Sequence, residues 1–319
     1  MTFTVSAPGK ALIFGEYAVV GGGLALVAAV DRRVTVHRFE APRAGYRVEG
    51  PIDGDDSLVR TVIRSAQRHL GRALDVTPAH LKSDVTQMFS DGGKLGLGSS
   101  AASAVALTGA VLGEAISASR DDMFQIASDA HHRWQGGRGS GAGLAAATWG
   151  NWQEYRLTAP DSPIADFLNT DGKRADGKAE PKAHRDYLKP PPGIRWELVA
   201  LPEAANTRSF LDAVLDTGDR SPGDVRPLLG RLAEIANEAR AAFRNDDGRA
   251  VVDLVRSADQ TMEQLGERAG IPIATDTHRE LRDAAARFDI AAKPSGAGGG
   301  DISLLAGPEG SERPAEPVE

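Results

Sequence analysis

Four clusters of glycine constrain this chain more than any other feature of its sequence. They are Gly15 with Gly21, Gly22 and Gly23; Gly92, Gly93, Gly96 and Gly98; a looser run through Gly136, Gly137, Gly139, Gly141 and Gly143; and Gly296, Gly298, Gly299 and Gly300. Glycine inside a helix or strand costs about 0.5–1 kcal/mol relative to alanine, so such runs are expected where backbone takes positive φ or comes close to a ligand. Each cluster is therefore a candidate site loop.

The segments between these loops predict a mixed α/β protein. Residues 3–14 and 24–38 carry short apolar runs bounded by glycine turns and read as strands. From Ser57 to Leu70 the apolar residues Leu58, Val59, Val62, Ile63, Ala66 and Leu70 recur at helical spacing, leaving Arg60, Arg64 and Arg68 on a solvated face. Residues 99–118 read as a long small-residue helix and 121–134 as another. The stretch 159–193 is polar, aperiodic and rich in Pro and Gly, and reads as a linker or lid, or as a tolerated insertion. A strand over 195–201, helices over 207–216, 223–244 and 248–268, and a short strand over 302–305 make the second half α+β. The last twelve residues read as a frayed acidic tail. At 319 residues, two domains are expected: 1–158, then the 159–193 insertion, then 194–319.

Charge and composition exclude several functions. Lys and Arg number 37 against 44 Asp and Glu, and no basic run exceeds two residues, so the footprint of a nucleic-acid binder is missing. No apolar stretch approaches the roughly 18 residues of a membrane span, and Met1–Phe14 lacks the pattern of a secretion signal, so no membrane association and a cytoplasmic location are expected. With no Cys, there is no disulfide, thiolate metal site or cysteine nucleophile.

Three segments carry the chemistry. Gly93–Ala102, GKLGLGSSAA, places a glycine loop and two hydroxyls directly before a helix, whose N-terminus offers unpaired N–H groups and a positive dipole end to an anion. Ser99 and Ser100 either cap that helix or ligate Mg²⁺ beside a bound phosphate. Lys293–Asp301, KPSGAGGGD, is either a second anion loop or a tight connection after a strand. Ser6–Tyr17, SAPGKALIFGEY, places Lys10 after a Pro-Gly turn, its stem in packed protein and its ammonium directed to a cleft.

In this order, the three segments resemble the three motifs of the GHMP kinase superfamily, which includes galactokinase, homoserine kinase, mevalonate kinase and phosphomevalonate kinase. The resemblance runs from about Ser6 to Ala306. Within the superfamily, HRWQGGRGSGA at 132–142, Ala205-Asn206-Thr207 before a helix, and GIPIATDTHRELRDAA before KPSGAGGGD are most similar to phosphomevalonate kinases. The resemblance implies a two-domain kinase using ATP and Mg²⁺, with a left-handed βαβ unit in the N-terminal domain, a ferredoxin-like α+β C-terminal domain and an active site in the cleft between them. It implies that Lys94, Gly96, Leu97, Gly98, Ser99, Ser100 and Ala101 cradle the ATP phosphates, Ser100 also helping to hold Mg²⁺. Lys10 would stabilise the transferring phosphoryl group, making Lys10 and Ser100 the catalytic pair. Tyr17, Ser140, Gly141, Asn206, Thr207, Ser295, Gly296 and Ala297, with Lys10, would line the acceptor pocket, and Arg138 would clamp an acceptor phosphate. The implied reaction is ATP-dependent phosphorylation of (R)-5-phosphomevalonate to the diphosphate, by a monomer or homodimer.

The sequence departs from the family pattern at informative places. Mevalonate and galactose kinases carry an S-G-x-D aspartate taken as the base for the acceptor hydroxyl. Here the segment is Ser140-Gly141-Ala142-Gly143, and the Mg²⁺-binding Glu of mevalonate kinase aligns with His132. An alcohol benefits from a base by about 10²–10⁴-fold, whereas a phosphate monoester with a second pKa near about 6 is already mostly dianionic at neutral pH. Gly143 thus weakens an alcohol kinase more than a phosphate kinase, although many phosphomevalonate kinases also have Asp there. Two alternatives stay open: a kinase of mevalonate or another small alcohol, and a catalytically silent nucleotide-binding homologue. The usual W-T-G before the acceptor loop reads Ala200-Leu201-Pro202, and relatives usually add a closing helix and strand after the position of Gly307. His131, His132 and His278 do not read as a metal set, and the four Trp read as packing anchors.

Overall fold

The computed structural model describes residues 2–40, 46–49, 57–71, 79–90, 93–113, 118–136, 139–157, 168, 183–203 and 206–311. These group into two units. Residues up to Lys10 and Ala28–Asn151 form one; Ala11–Val27 and the described residues from Trp152 onward form the other. The strands β1 (Phe3–Phe14) and β2 (Leu24–Glu40) therefore each contribute to both.

In the first unit, β3 (Tyr46–Glu49), α1 (Ser57–Leu70) and β4 (Ala79–Asp84) form a βαβ unit whose strands pair in parallel, Tyr46 opposite Ala79. β4 then pairs antiparallel with the outer half of β2, Val36 opposite Ser83. α1 buries Leu58, Val59, Val62 and Ala66, the stripe its periodicity predicts. Arg60, Arg64 and Arg68 lie on the exposed face, but Arg68 is more than solvated: its guanidinium donates to Ser65 Oγ and to the Asp129 carboxylate. A two-residue hairpin, β5 (Phe89–Ser90) with β6 (Gly93–Lys94), leads to α2 (Ser99–Leu112). α2 is apolar around its circumference and almost wholly buried, as a central helix must be. Gly109 sits where a Cβ would stand 2.8 Å from Val5, so a small residue is what lets α2 approach β1.

α2 ends six residues short of the expected 118 because Gly113, at φ 62°, leaves the helix while its N–H still reaches Gly109 O. α3 (Arg120–Trp134) starts at a capping box in which Ser119 and Asp122 satisfy each other's backbone N–H. α4 (Ala142–Trp149) closes the unit, with Trp149 packed 4.6 Å from Phe124, ring to ring.

In the second unit, β7 (Trp152–Leu157) pairs antiparallel with β8 (Ala183–Tyr187). β8 falls within the 159–193 stretch, so that stretch is not aperiodic throughout; most of the rest of it lies outside the described residues. A second sheet has the order β10-β11-β9, antiparallel throughout, from β9 (Ile194–Ala200), β10 (Ala291–Pro294) and β11 (Ile302–Pro308). Between β9 and β10 the chain forms α5 (Thr207–Arg220), α6 (Pro222–Arg244), α7 (Gly248–Ala269) and α8 (Asp276–Ala286). α5 runs four residues past the expected end. α8, not foreseen as a helix, is opened by a Thr275–His278 capping box. The core of the helical layer joins Val214, Leu229, Leu232, Met262 and Leu265 to Tyr17 and Ala18. Trp152, Trp196 and Phe243 form an aromatic cluster with ring centroids 5.0–5.9 Å apart.

Candidate active site

Four elements of the first unit meet at Lys10. The Lys10 N–H donates to Leu97 O at 2.8 Å, and a Cβ on Gly9 would stand 2.7 Å from that same oxygen, so β1 and the 95–98 loop are clasped backbone to backbone. The Lys10 ammonium reaches Gly96 O at 3.5 Å. Gly98 is the N-cap of α2 in the left-handed region at φ 74°, where a Cβ would also stand 3.0 Å from Lys10 Cγ. Only glycine suits both demands. The same device opens α4, whose N-cap is Gly141 at φ 78°. Neither cap offers a side chain to the first turn; the Gly98 and Gly141 carbonyls take the N–H groups of the third and fourth residues of each helix, and the Ser99 and Ser100 N–H groups that open α2 are left without an intrahelical acceptor.

The stem of Lys10 lies against the first turns of both helices. A Cβ at Gly143, the second residue of α4, would be 3.4 Å from Lys10 Cγ and 3.3 Å from Ala101 Cβ. Two helix N-termini, each carrying roughly half a positive charge, together with one ammonium make a site for a polyanion. Position 143 faces this site and brings no side chain to it. Ser99 and Ser100 are the first two residues of α2 and do not cap it, so the capping role considered from sequence belongs to Gly98 instead. Ser100 Oγ lies 3.3 Å from Nε2 of His131, a buried residue on α3 whose imidazole burial pushes down to about 4, with His132 adding to the shift. Among the described residues no group of three or more His, Asp or Glu could hold a metal.

The second unit holds the third glycine segment. Ser295 Oγ donates to Leu12 O at 3.0 Å and accepts from Leu12 N at 3.1 Å, and the Tyr17 hydroxyl donates to Ala297 O at 2.6 Å. Burial, aided by the Glu16 charge, pushes the Tyr17 phenol well above its ordinary value, so it stays a donor. Lys293 and Glu16, both fully buried, form an ion pair, and Lys293 also donates to Pro294 O at 2.9 Å. Three contacts therefore tie residues 12–17 to residues 293–297. Cβ atoms at Gly298, Gly299 and Gly300 would collide at 2.2–2.5 Å with Ile273 O, the Phe210 ring and Glu203 O. Those three glycines make a tight connection after a strand, the plainer of the two readings of KPSGAGGGD.

The structure thus gathers Lys10, Gly96, Leu97, Gly98, Ser99, Ser100, Ala101 and Gly141 in one unit. Lys94, on the β6 hairpin, is exposed, and Ser140 Oγ accepts from Ala142 N at 3.4 Å. Tyr17, Ser295, Gly296 and Ala297 belong to the other unit, where the hydroxyls of Tyr17 and Ser295 are engaged in holding the loop rather than offered to a pocket. Asn206 caps α5 through Ser209 N, and Thr207 is exposed beside it. Arg138 lies outside the described residues. Sequence reasoning missed His131 beside Ser100 in the first unit, and the Glu16–Lys293 pair behind the glycine segment of the second. Glu16 and Lys293 stand inside quoted motifs, which was the available signal.

A model of the GHMP kinases N terminal domain matches residues 57–151. Over 95% of its length the chain is 32% identical to the phosphomevalonate kinase of Streptomyces sp. strain CL190, covering 89% of that protein. The chain belongs to the GHMP kinase family. Another relative in the family is the mevalonate kinase of Aeropyrum pernix, 28% identical over 98% of this chain and 91% of that one. The GHMP kinase fold is seen in Streptococcus pneumoniae phosphomevalonate kinase in complex with phosphomevalonate and AMPPNP. It superposes with a TM-score of 0.78 at 22% identity, covering 96% of this chain and 92% of that one. No helix among the described residues is long and apolar enough to cross a membrane.

Proposed function

We propose that this GHMP kinase transfers the γ-phosphoryl group of ATP to the phosphate of (R)-5-phosphomevalonate, giving the diphosphate. The observation that carries this reading is Gly143: the position faces Lys10 and the first turn of α2 and supplies no base, and the nearly full-length likeness to the Streptomyces enzyme points to the same acceptor.

Phosphoryl transfer depends chiefly on positioning and on neutralising charge spread over the equatorial oxygens. In this reading the first-turn N–H groups of α2, with Gly96 and Leu97 and with Lys94 at the rim, hold the triphosphate. Lys10 directs its ammonium at the transferring group, where a preorganised charge acts on the transition state. The acceptor is a dianion that attacks without surrendering a proton. Arg138, Ser140, Asn206, Thr207 and Gly296 are assigned to the acceptor, and Tyr17 and Ser295 to shaping the loop that carries Ala297.

Ser100 would offer a Mg²⁺ carried in with the nucleotide one hydroxyl oxygen, with His131 as that hydroxyl's partner; positions 132 and 143 add no carboxylate, so phosphates and water would supply the other ligands. When bound, the ion supplies charge neutralisation between the phosphates.

A coupled ADP-release assay with MgATP tests the proposal by comparing 5-phosphomevalonate, mevalonate, homoserine and galactose at equal concentration. Turnover confined to 5-phosphomevalonate is expected. Faster turnover with mevalonate would make the chain an alcohol kinase, and ATP binding without turnover of any acceptor would make it a silent homologue.

A further inference from the structure

Serine and threonine hydroxyls inside helices have a standard outlet for their proton, the carbonyl four residues earlier. This chain uses it repeatedly: Thr61 donates to Ser57 O, Thr108 to Ala104 O and Thr261 to Ser257 O, all at 2.6–2.7 Å. Ser100 cannot. It is the second residue of α2, and four residues before it is Gly96, outside the helix. The partner the structure gives its Oγ is instead Nε2 of His131 at 3.3 Å.

That partner is held from several sides. His131 is buried, its ring centroid lies 6.2 Å from that of Trp134, and two residues earlier Asp129 is gripped by Arg68 of α1 and by Arg133, which locks the register of α3 against α1. A hydroxyl has one proton and two lone pairs. If the proton is sent to His131, lone pairs face the phosphate loop, and the oxygen is a cation ligand. If the imidazole donates instead, the proton of Ser100 is left for a phosphate oxygen.

We propose that His131, as the neutral tautomer protonated at Nδ1, accepts the Ser100 proton at Nε2 and so orients Ser100 as a ligand for the cation that accompanies the nucleotide. His131 is then a positioning residue that acts through Ser100. The proposal rests on the reading of residues 96–101 as the ATP phosphate loop, but not on the identity of the acceptor. An imidazole suits the task because it accepts a proton without adding a negative charge beside the phosphates. Removing an outer partner of this kind costs about 10–100-fold in metal affinity or activity.

The test needs no turnover at its first step. In the full chain labelled with ¹⁵N-histidine, the ring resonances of His131, assigned by their loss in His131→Gln, are expected to show an unprotonated Nε2 and a protonated Nδ1 at pH 7.5. The opposite tautomer would overturn the proposal. Calorimetry of ATP binding with and without Mg²⁺ then follows the cation directly. His131→Leu is expected to weaken the Mg²⁺-dependent part of binding, and to raise KM for MgATP with a smaller change in kcat, by about tenfold. His131→Gln, whose amide reaches the Nε2 position, is expected to restore most of it. In a Ser100→Ala background, His131→Leu is expected to add less than about twofold, since coupled residues lose additivity. Equal effects in both backgrounds would overturn the proposal. Should His131→Leu fail to fold, the spectrum of the unaltered chain still decides. MgATP binding without turnover of 5-phosphomevalonate would count against the proposed acceptor and leave this test intact.

Discussion

Replacing Gly143 by Asp puts a carboxylate where the Cβ would meet Lys10 Cγ at 3.4 Å and Ala101 Cβ at 3.3 Å. Gly143 lies in the first turn of α4 and does not have positive φ, so the backbone accepts a side chain. Exchanging glycine for aspartate at a helical position gains about 0.3 kcal/mol, because aspartate ranks just above glycine in helix propensity, and an acidic group in a first turn adds about 0.3–1 kcal/mol. Against this stand two contacts that must yield by a few tenths of an ångström, one of them with the flexible stem of Lys10. The variant should therefore fold with stability within about 1–2 kcal/mol of the parent. Its chemistry should split by acceptor. An alcohol gains a base worth about 10²–10⁴-fold, or about 3–5 kcal/mol of barrier. A phosphate acceptor has no proton to lose, and it meets an added like charge worth about 3 kcal/mol at 5 Å and an effective dielectric of 20. The assay is kcat/KM for mevalonate and for 5-phosphomevalonate in the parent, Gly143→Asp and Gly143→Ala. The expected result is a mevalonate gain of at least about 10² in the Asp variant alone, with no gain for 5-phosphomevalonate. Equal gains for both acceptors, or an Ala variant as good as Asp, would refute the reasoning.

Other perturbations probe other parts of the site. Lys10→Met should lower kcat by at least about 10²-fold while ATP still binds, and retained turnover would remove Lys10 from the mechanism. Lys293→Met strands the fully buried Glu16 carboxylate, whose Oε2 has no hydrogen-bond partner in the structure, and should cost about 3–5 kcal/mol in urea denaturation. Removing both charges with Glu16→Leu should recover much of that loss; an additive loss would contradict the pairing. Burial pushes His278 down to about 4, while its unfolded counterpart titrates near about 6.5, so below neutrality the unfolded chain takes up a proton that the folded chain refuses. The stability this supplies is present above about pH 7 and falls toward pH 4, by about 2 kcal/mol at pH 5, and His278→Gln should flatten that slope in urea midpoints. An unchanged slope in the variant would show that His278 does not drive it.

The parts of the fold that are local in sequence were legible. The apolar stripe of α1 has the bounds its spacing predicts, 57–70, and the glycine clusters at Gly98 and Gly141 mark helix N-caps with positive φ. The glycines at 298–300 were harder to read, because packing against Ile273, Phe210 and Glu203 demands the same residue type as approach to an anion. α8 has few buried apolar residues, so periodicity hardly announced it. β8 is a strand of mostly polar residues that pairing with β7 imposes. The contacts that shape the loops of each unit join residues far apart in sequence: Ser100 and His131 in the first, Leu12 with Ser295 and Glu16 with Lys293 in the second. No local pattern encodes such pairs: His131 stands one residue before the family-like segment 132–142.

The central claim is that the phosphoryl group lands on a phosphate rather than on a hydroxyl. It is tested most directly by following the acceptor with ³¹P NMR while the purified chain consumes MgATP and 5-phosphomevalonate. Conversion of the acceptor's single monoester resonance into two mutually coupled diphosphate doublets, matched one to one by ADP, is the expected result. A second, uncoupled monoester resonance on the same molecule would place the new phosphate on a hydroxyl and contradict the claim.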